Sequence, residues 1–251
     1  MALPKRIEDS GWLRLIGQAE GLRIPILSEI LGYAVPRQKI LIGLYEPAAH
    51  WLSLILTMAS VVLREGYVVN IVTTATSPAE IRKALGHTIP NLSELEVARR
   101  LIFSDWFTWL TGKKSDEAIS VDTLSIGKMS LEEMILGRQY SPSYDFVVAD
   151  SFSTFLKYND ERTFMQWFDR LVARLRPLKG IRLYGFVKGF HSETLYSNVQ
   201  ALADGVIELN YRESGGKLEN AIRIKSLKGM SHPTEWRSLE VNPDGTLRLS
   251  R

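Results

Sequence analysis

The stretch with the clearest chemical potential is Gly43-Leu-Tyr-Glu-Pro-Ala-Ala-His50. It joins a short apolar run, Lys39-Ile-Leu-Ile-Gly43, to a longer one from His50 to Leu63 that is apolar at helical spacing. A glycine at such a junction, followed at a fixed interval by Gly-Lys-Ser/Thr, makes a phosphate cradle. The glycines let backbone amides wrap the anion, the lysine reaches the terminal phosphates and the hydroxyl holds magnesium. Here Ala48, Ala49 and His50 occupy those three positions, so the frame of a nucleotide site is present without its donors. Asp150 closes another apolar run, Tyr144-Asp-Phe-Val-Val-Ala149, in the form of a strand whose terminal carboxylate assists magnesium in nucleotide hydrolases. Strands ending in aspartate are common in α/β proteins, and a structural role stands beside the catalytic one. A third set, Arg99, Arg100, Lys113 and Lys114 with Trp106 and Trp109, has the residue types that pair with phosphates and stack on bases. Against it stands the simpler reading that the aromatic residues pack in a core or an oligomer interface.

The elements that would position these residues alternate. Ile24 to Gly32 reads as a short helix with Pro25 near its first turn and Gly32 beyond its end. After the strand to Gly43 and the helix from His50, Tyr67 to Thr73 reads as a second buried strand, and Ser77-Pro-Ala-Glu80 as an N-cap and first turn. Leu92 to Leu101 reads as a helix, Leu101 to Phe103 as a short strand, and Ser130 to Gly137 as a helix opened at capping-box spacing by Ser130 and Glu133. Asp160 to Arg176 carries Phe164, Trp167, Phe168, Leu171, Val172 and Leu175 on one helical face, ended by Pro177, and Ile181 to Val187 is a further strand. This rhythm predicts an α/β fold with a parallel sheet. The runs Gly205 to Arg212, Leu218 to Lys225, Thr234 to Val241 and Thr246 to Leu249, separated by turn signals, predict antiparallel strands extending one side of it.

Composition narrows the function classes. The 251 residues suit one α/β domain, and 45% apolar with 24% charged residues is ordinary for a globular chain. A balance of 31 basic to 28 acidic residues permits nucleic-acid contact without arguing for it. With no cysteine there is neither disulfide nor thiolate nucleophile, and four scattered histidines show no metal-ligand spacing. Met1 to Gly11 lacks the apolar core of a signal peptide and no run reaches the length of a membrane span, so a cytoplasmic protein with no membrane association is expected.

Ile24-Pro-Ile-Leu-Ser-Glu-Ile-Leu-Gly32, Val35-Pro-Arg37 and the strand to Gly43 together resemble the entry to the core of KaiC-like proteins of the RecA superfamily, including archaeal RadA paralogues. The resemblance continues in order through Ser77-Pro-Ala-Glu-Ile-Arg82, Val147-Val-Ala-Asp-Ser151, Leu202-Ala-Asp-Gly-Val-Ile207 and Lys228-Gly-Met-Ser-His232. It implies a single RecA/KaiC-like domain over residues 1–251 with residues 1–21 as an N-terminal extension. It also implies a mostly parallel central sheet flanked by helices, with C-terminal antiparallel strands. The departures bear on function. Where the family carries paired glutamates, one polarising the attacking water, this sequence has Ala75 and Thr76; the lysine position is Ala49, the hydroxyl position His50, and Asp150 alone survives of the hydrolytic set. Near the C-terminus, where the family extends cations toward a neighbour's nucleotide, Lys225, Lys228 and His232 remain.

The resemblance with these losses implies a catalytically inactive paralogue without an ATP or magnesium cofactor. Such a protein would act as a regulatory or scaffolding subunit, in a homo-oligomer or with an active RecA/KaiC-like partner, in archaeal DNA repair, recombination or signalling. Two alternatives stand beside it: a nucleic-acid-binding recombinase accessory protein, and an ATPase whose site is rebuilt around His50 or Glu46.

Overall fold

A computed structural model describes residues 21–128, 144–214 and 216–250. The expected helix from Ser130 to Gly137, and nearly all of the 1–21 extension, lie outside them. Gly21–Leu22 (β1) and Val35–Pro36 (β2) form a small antiparallel pair around the helix Leu27–Leu31 (α1), which ends at Gly32 in the left-handed conformation, φ 76°. The main sheet then begins with Lys39–Tyr45 (β3), followed by Trp51–Arg64 (α2), Val69–Thr73 (β4), Pro78–Gly86 (α3), Leu92–Val97 (α4), Leu101–Asp105 (β5), Ile119–Ser120 (β6) and Phe146–Ala149 (β7). The chain continues through Glu161–Leu175 (α5), Ile181–Val187 (β8), Glu193–Leu202 (α6), Gly205–Ser214 (β9), Lys217–Leu227 (β10), Arg237–Val241 (β11) and Leu247–Leu249 (β12).

The ten strands run in the order β12-β11-β10-β9-β3-β8-β7-β4-β5-β6. All pairs from β9 to β6 are parallel and those from β9 out to β12 are antiparallel. The expected α/β architecture is therefore present, with one correction. The first of the four C-terminal runs, β9, is parallel to β3 on one side, with Leu41 opposite Gly205 and Tyr45 opposite Leu209, and antiparallel only to β10 on the other. Helix α4 stops at Val97 rather than Leu101 because Arg99 takes a positive φ of 54° that no helix continues. Helix α6, opened by Ser192 accepting the Leu195 amide, was not expected.

Each face of the sheet is buried. One packs against α2, α3 and α4 through Leu54, Ile55, Met58, Val62, Ile81 and Leu95. The other is covered by α5 and α6, whose Phe164, Trp167, Phe168 and Val199 meet Phe152, Phe155 and Phe186. The parallel strands bring the C-terminal ends of β3, β4, β7 and β8 to one edge, where open α/β sheets bind their ligands. No helix among the described residues is long and apolar enough to cross a membrane.

Candidate functional site

The loop after β3 stands at that edge, and four of its backbone amides are already engaged. Strand β3 runs two residues past Gly43 because β8 and β9 both pair with it as far as Tyr45. The Glu46 amide then donates to the Leu209 carbonyl at 3.1 Å, the Ala49 amide to the Glu46 carbonyl at 2.9 Å, and the Trp51 amide to the Ala49 carbonyl at 2.7 Å. The His50 amide donates to Asn220 Oδ1 at 3.2 Å, and Pro47 has no amide to offer. The loop is also tied down from β9, whose Tyr211 amide donates to Glu46 Oε2 at 3.0 Å and whose Tyr211 hydroxyl donates to the Ala48 carbonyl at 2.6 Å. His50 is the exposed N-cap of α2 and makes no side-chain capping bond; its ring meets Tyr211 edge-on at 6.4 Å. One carboxylate oxygen of Glu46, Oε2, is held against the β9 backbone.

Beneath the loop, Trp51 turns back over the sheet. Its indole is 3% exposed and lies on Gly43 and Gly185, which are opposite each other on β3 and β8. A Cβ added at Gly43 would come within 2.0 Å of Trp51 Cη2, and one at Gly185 within 2.4 Å of Trp51 Nε1. The indole stacks on Tyr45 with centroids 4.9 Å apart and planes 2° from parallel, and Nε1 donates to the Asp150 carbonyl at 2.8 Å. Burial pushes the Tyr45 phenol up to about 12. Sequence reasoning passed over Trp51, Tyr211 and Asn220. The one available signal was a glycine inside each of two apolar strands, which marks close approach by another group.

Asp150 is buried, and its carboxylate faces protein donors. It accepts hydrogen bonds from the amides of Thr74 (2.8 Å), Ala75 (2.8 Å), Thr76 (2.7 Å) and Ser151 (2.6 Å) and from the Thr74 hydroxyl (2.6 Å). Burial pushes its carboxyl above the ordinary value, against donors that favour the anion. Ala75 and Thr76 stand beside Asp150 and meet it through their backbone amides. The carboxylate pins the turn between β4 and α3, and Ser77 then caps α3 reciprocally with Glu80.

The C-terminal cations lie on the sheet's antiparallel extension. Lys225 and Lys228 are exposed, with Lys225 Nζ 3.0 Å from Gln200 Oε1 and Lys228 Nζ against the Ala201 carbonyl at 2.5 Å. His232 is half-buried, its Nδ1 3.0 Å from the Met230 carbonyl. A group not anticipated from sequence surrounds Glu208 on β9. Arg223, opposite it on β10, donates through Nε at 2.7 Å, while Lys188 and Lys225 stand 3.3 and 3.6 Å away. Burial opposes ionisation of Glu208, but the Arg223 hydrogen bond and the three cations prevail and hold its carboxyl below the usual range.

The basic and aromatic set is divided. Trp106 is 1% exposed and meets Phe155 edge-on at 5.2 Å, so it is core and cannot stack on a base. Arg99 and Arg100 precede β5, where Arg100 Nη2 holds the Leu63 carbonyl; Lys113, Lys114 and Trp109 follow its other end, about 17 Å along the strand. Among the described residues no group of three or more His, Asp or Glu is placed to hold a metal ion.

No family model matches the sequence, and no curated protein matches it. Solved structures do. A KaiC-like protein of the hyperthermophilic archaeon Pyrococcus horikoshii OT3 superposes with a TM-score of 0.69 at 15% identity, covering 93% of this chain and 99% of that one. The flagellar accessory protein FlaH of Methanocaldococcus jannaschii superposes with a TM-score of 0.68 at 18% identity, covering 92% of this chain and 97% of that one. At these identities the likeness establishes the fold: this chain has the RecA-like α/β fold of KaiC-like proteins.

Proposed function

We propose that the protein is a RecA/KaiC-like subunit that neither binds nor hydrolyses nucleotide at the loop Gly43–His50 and acts instead by assembling with other chains. The observation that carries this reading is the state of the loop. Phosphate binding needs several backbone amides aimed at the anion, and those of Glu46, Ala49, His50 and Trp51 are engaged by protein acceptors. The residues present do not fit a magnesium nucleotide. No lysine or hydroxyl stands at Ala49 or His50, Glu46 adds a negative charge, and the Asp150 carboxylate is directed at the β4–α3 turn. Glu46 and His50 offer no rebuilt hydrolytic centre, since the first is held by the Tyr211 amide and the second stands exposed at a helix end.

With chemistry absent from the loop, the remaining asset is the surface. Exposed Lys225 and Lys228 on the antiparallel extension are suited to contact an acidic or phosphate-bearing face of a neighbour, either a second copy or an active RecA/KaiC-like protein. A regulatory or scaffolding role in DNA repair, recombination or signalling follows from that reading.

Calorimetry with ATP and magnesium tests the first half; a micromolar isotherm abolished by Asp150→Ala in a still-folded protein would overturn it. Sedimentation of Lys228→Glu tests the second. Weaker association with the thermal midpoint nearly unchanged is expected, because an exposed charge contributes little to folding.

A further inference from the structure

Past the end of β5 the chain folds into a cleft of about 380 Å³ lined by Trp109, Lys113, Lys114, Ser115, Ser120, Val121 and Asp122. We infer that this cleft binds a nucleotide unit of single-stranded nucleic acid, stacking a base on Trp109 and holding the flanking phosphates with Lys113 and Lys114. The site is independent of the Gly43–His50 loop and of the assembly face.

Its construction begins at Asp105. That carboxylate accepts the amides of Phe107 and Thr108, both at 2.9 Å, and the Ser115 hydroxyl at 2.6 Å, so it fixes both ends of the segment that carries the lysines. The short 3-10 turn Thr108–Thr111 follows and ends at Gly112, φ 72°, which reverses the chain and presents Lys113 and Lys114. Trp109 is held from behind. Its Nε1 donates to the Trp106 carbonyl at 2.9 Å and its ring meets the exposed Tyr158 edge-on at 5.4 Å. An indole fixed in this way is half-exposed, and stacking on it costs little ordering.

The charges around the cleft favour an anion. Lys113 and Lys114 are exposed and have no ion-pair partner among the described residues. Of the neighbouring carboxylates, Glu117 is neutralised by Arg82 at 2.6 Å, and Asp105 is buried and saturated by donors. Asp116 is exposed outside the lining, and Asp122 is the one acidic side chain on the rim. The opening is mixed in character, an aromatic wall with cations and the exposed Ser120, where an acidic protein segment would leave the indole unused. A duplex keeps its bases stacked internally, so the cleft selects single strands.

The test uses a fluorescein-labelled oligo(dT) of about twelve nucleotides and anisotropy at several salt concentrations. Wild type is expected to bind, and Lys113→Ala with Lys114→Ala to reduce the slope of log affinity against log salt by about 1.4, the value for two single-strand phosphates. Trp109→Leu is expected to weaken binding roughly 5- to 150-fold while Trp109→Phe keeps most of it, and Asp122→Asn to strengthen it. Absence of binding at low salt, equal competition by duplex DNA or by polyglutamate, or affinity unchanged in the Lys113/Lys114 and Trp109→Leu variants, each checked for an unchanged thermal midpoint, would overturn the assignment.

Discussion

Replacing Trp51 by alanine removes a side chain that touches three strands. The indole fills the space over Gly43 and Gly185, stacks on Tyr45 and holds the Asp150 carbonyl. Deleting a buried tryptophan costs about 3–5 kcal/mol through lost transfer and the void left behind, and the orphaned carbonyl adds about 1 kcal/mol. Because the stacking on Tyr45 is already contained in the first figure, about 4–6 kcal/mol is the expected total, a large share of the stability of a domain. Trp51→Phe keeps the ring against Tyr45 and loses the hydrogen bond, for about 1–2 kcal/mol. A second substitution makes the argument specific to geometry. Gly185→Ala places a methyl group 2.4 Å from Trp51 Nε1, an overpacking cost of about 1–3 kcal/mol in wild type. In the Trp51→Ala background the methyl group enters a void and most of that cost disappears, so the two substitutions couple by about 1–2 kcal/mol. Urea unfolding followed by circular dichroism on the four proteins of the cycle measures this. Additive effects within about 0.5 kcal/mol, or a loss below about 1 kcal/mol for Trp51→Ala, would refute the placement of the indole.

Further outcomes are expected elsewhere. Asp150→Asn turns an amide N–H2 toward a ring of donors and should cost about 3 kcal/mol in urea unfolding; a neutral effect would mean the carboxylate does not pin the β4–α3 turn. Glu208 has a folded-state pKa depressed below its unfolded value, so its contribution is fully present above that unfolded value, about 4.3, and lost as pH falls through the folded one. Unfolding free energies measured from neutral pH down to about 3 should therefore fall more steeply in wild type than in Glu208→Gln, and parallel curves would count against the cluster. Ser77→Ala removes the α3 cap and should lower stability by about 1 kcal/mol, detectable as a shifted urea midpoint with an unchanged slope.

Much of the α/β order was legible because period is a local property. The apolar runs of β3, β4, β7 and β8 and the single apolar face of α5 are visible within one window of sequence. Pairing is not local. Nothing in Gly205 to Ser214 says that one edge meets β3 in parallel, and that pairing together with the one to β8 carries β3 on through Leu44 and Tyr45 into what reads as loop. Helix α6 is short, and its apolar Leu195, Tyr196 and Val199 sit among polar neighbours, so it lacks the strong stripe of α5. At the candidate site the absent lysine, hydroxyl and second glycine could be read directly. The occupants of the space could not, since Trp51, Gly185, Tyr211 and Asn220 come from four separate segments and only the fold brings them together. The Glu208 cluster was hidden for the same reason, because Arg223 faces it only through the β9–β10 register.

The indole beneath the loop also decides which changes the site can absorb. Two strand glycines accommodate it, a tyrosine lies flat against it, and a neighbouring strand's carbonyl has become its acceptor. Introducing Ala48→Gly, Ala49→Lys and His50→Thr would leave all of these in place, with the loop amides still held by β9, β10 and the loop's own carbonyls. Taking the indole away would open a void under the loop, so Trp51→Ala yields a less stable chain whatever stands at residues 48–50. The ring works as a keystone: residues 48–50 can be exchanged without disturbing what the loop rests on, whereas the stone itself cannot be drawn without loosening β3, β8 and the end of β7 together.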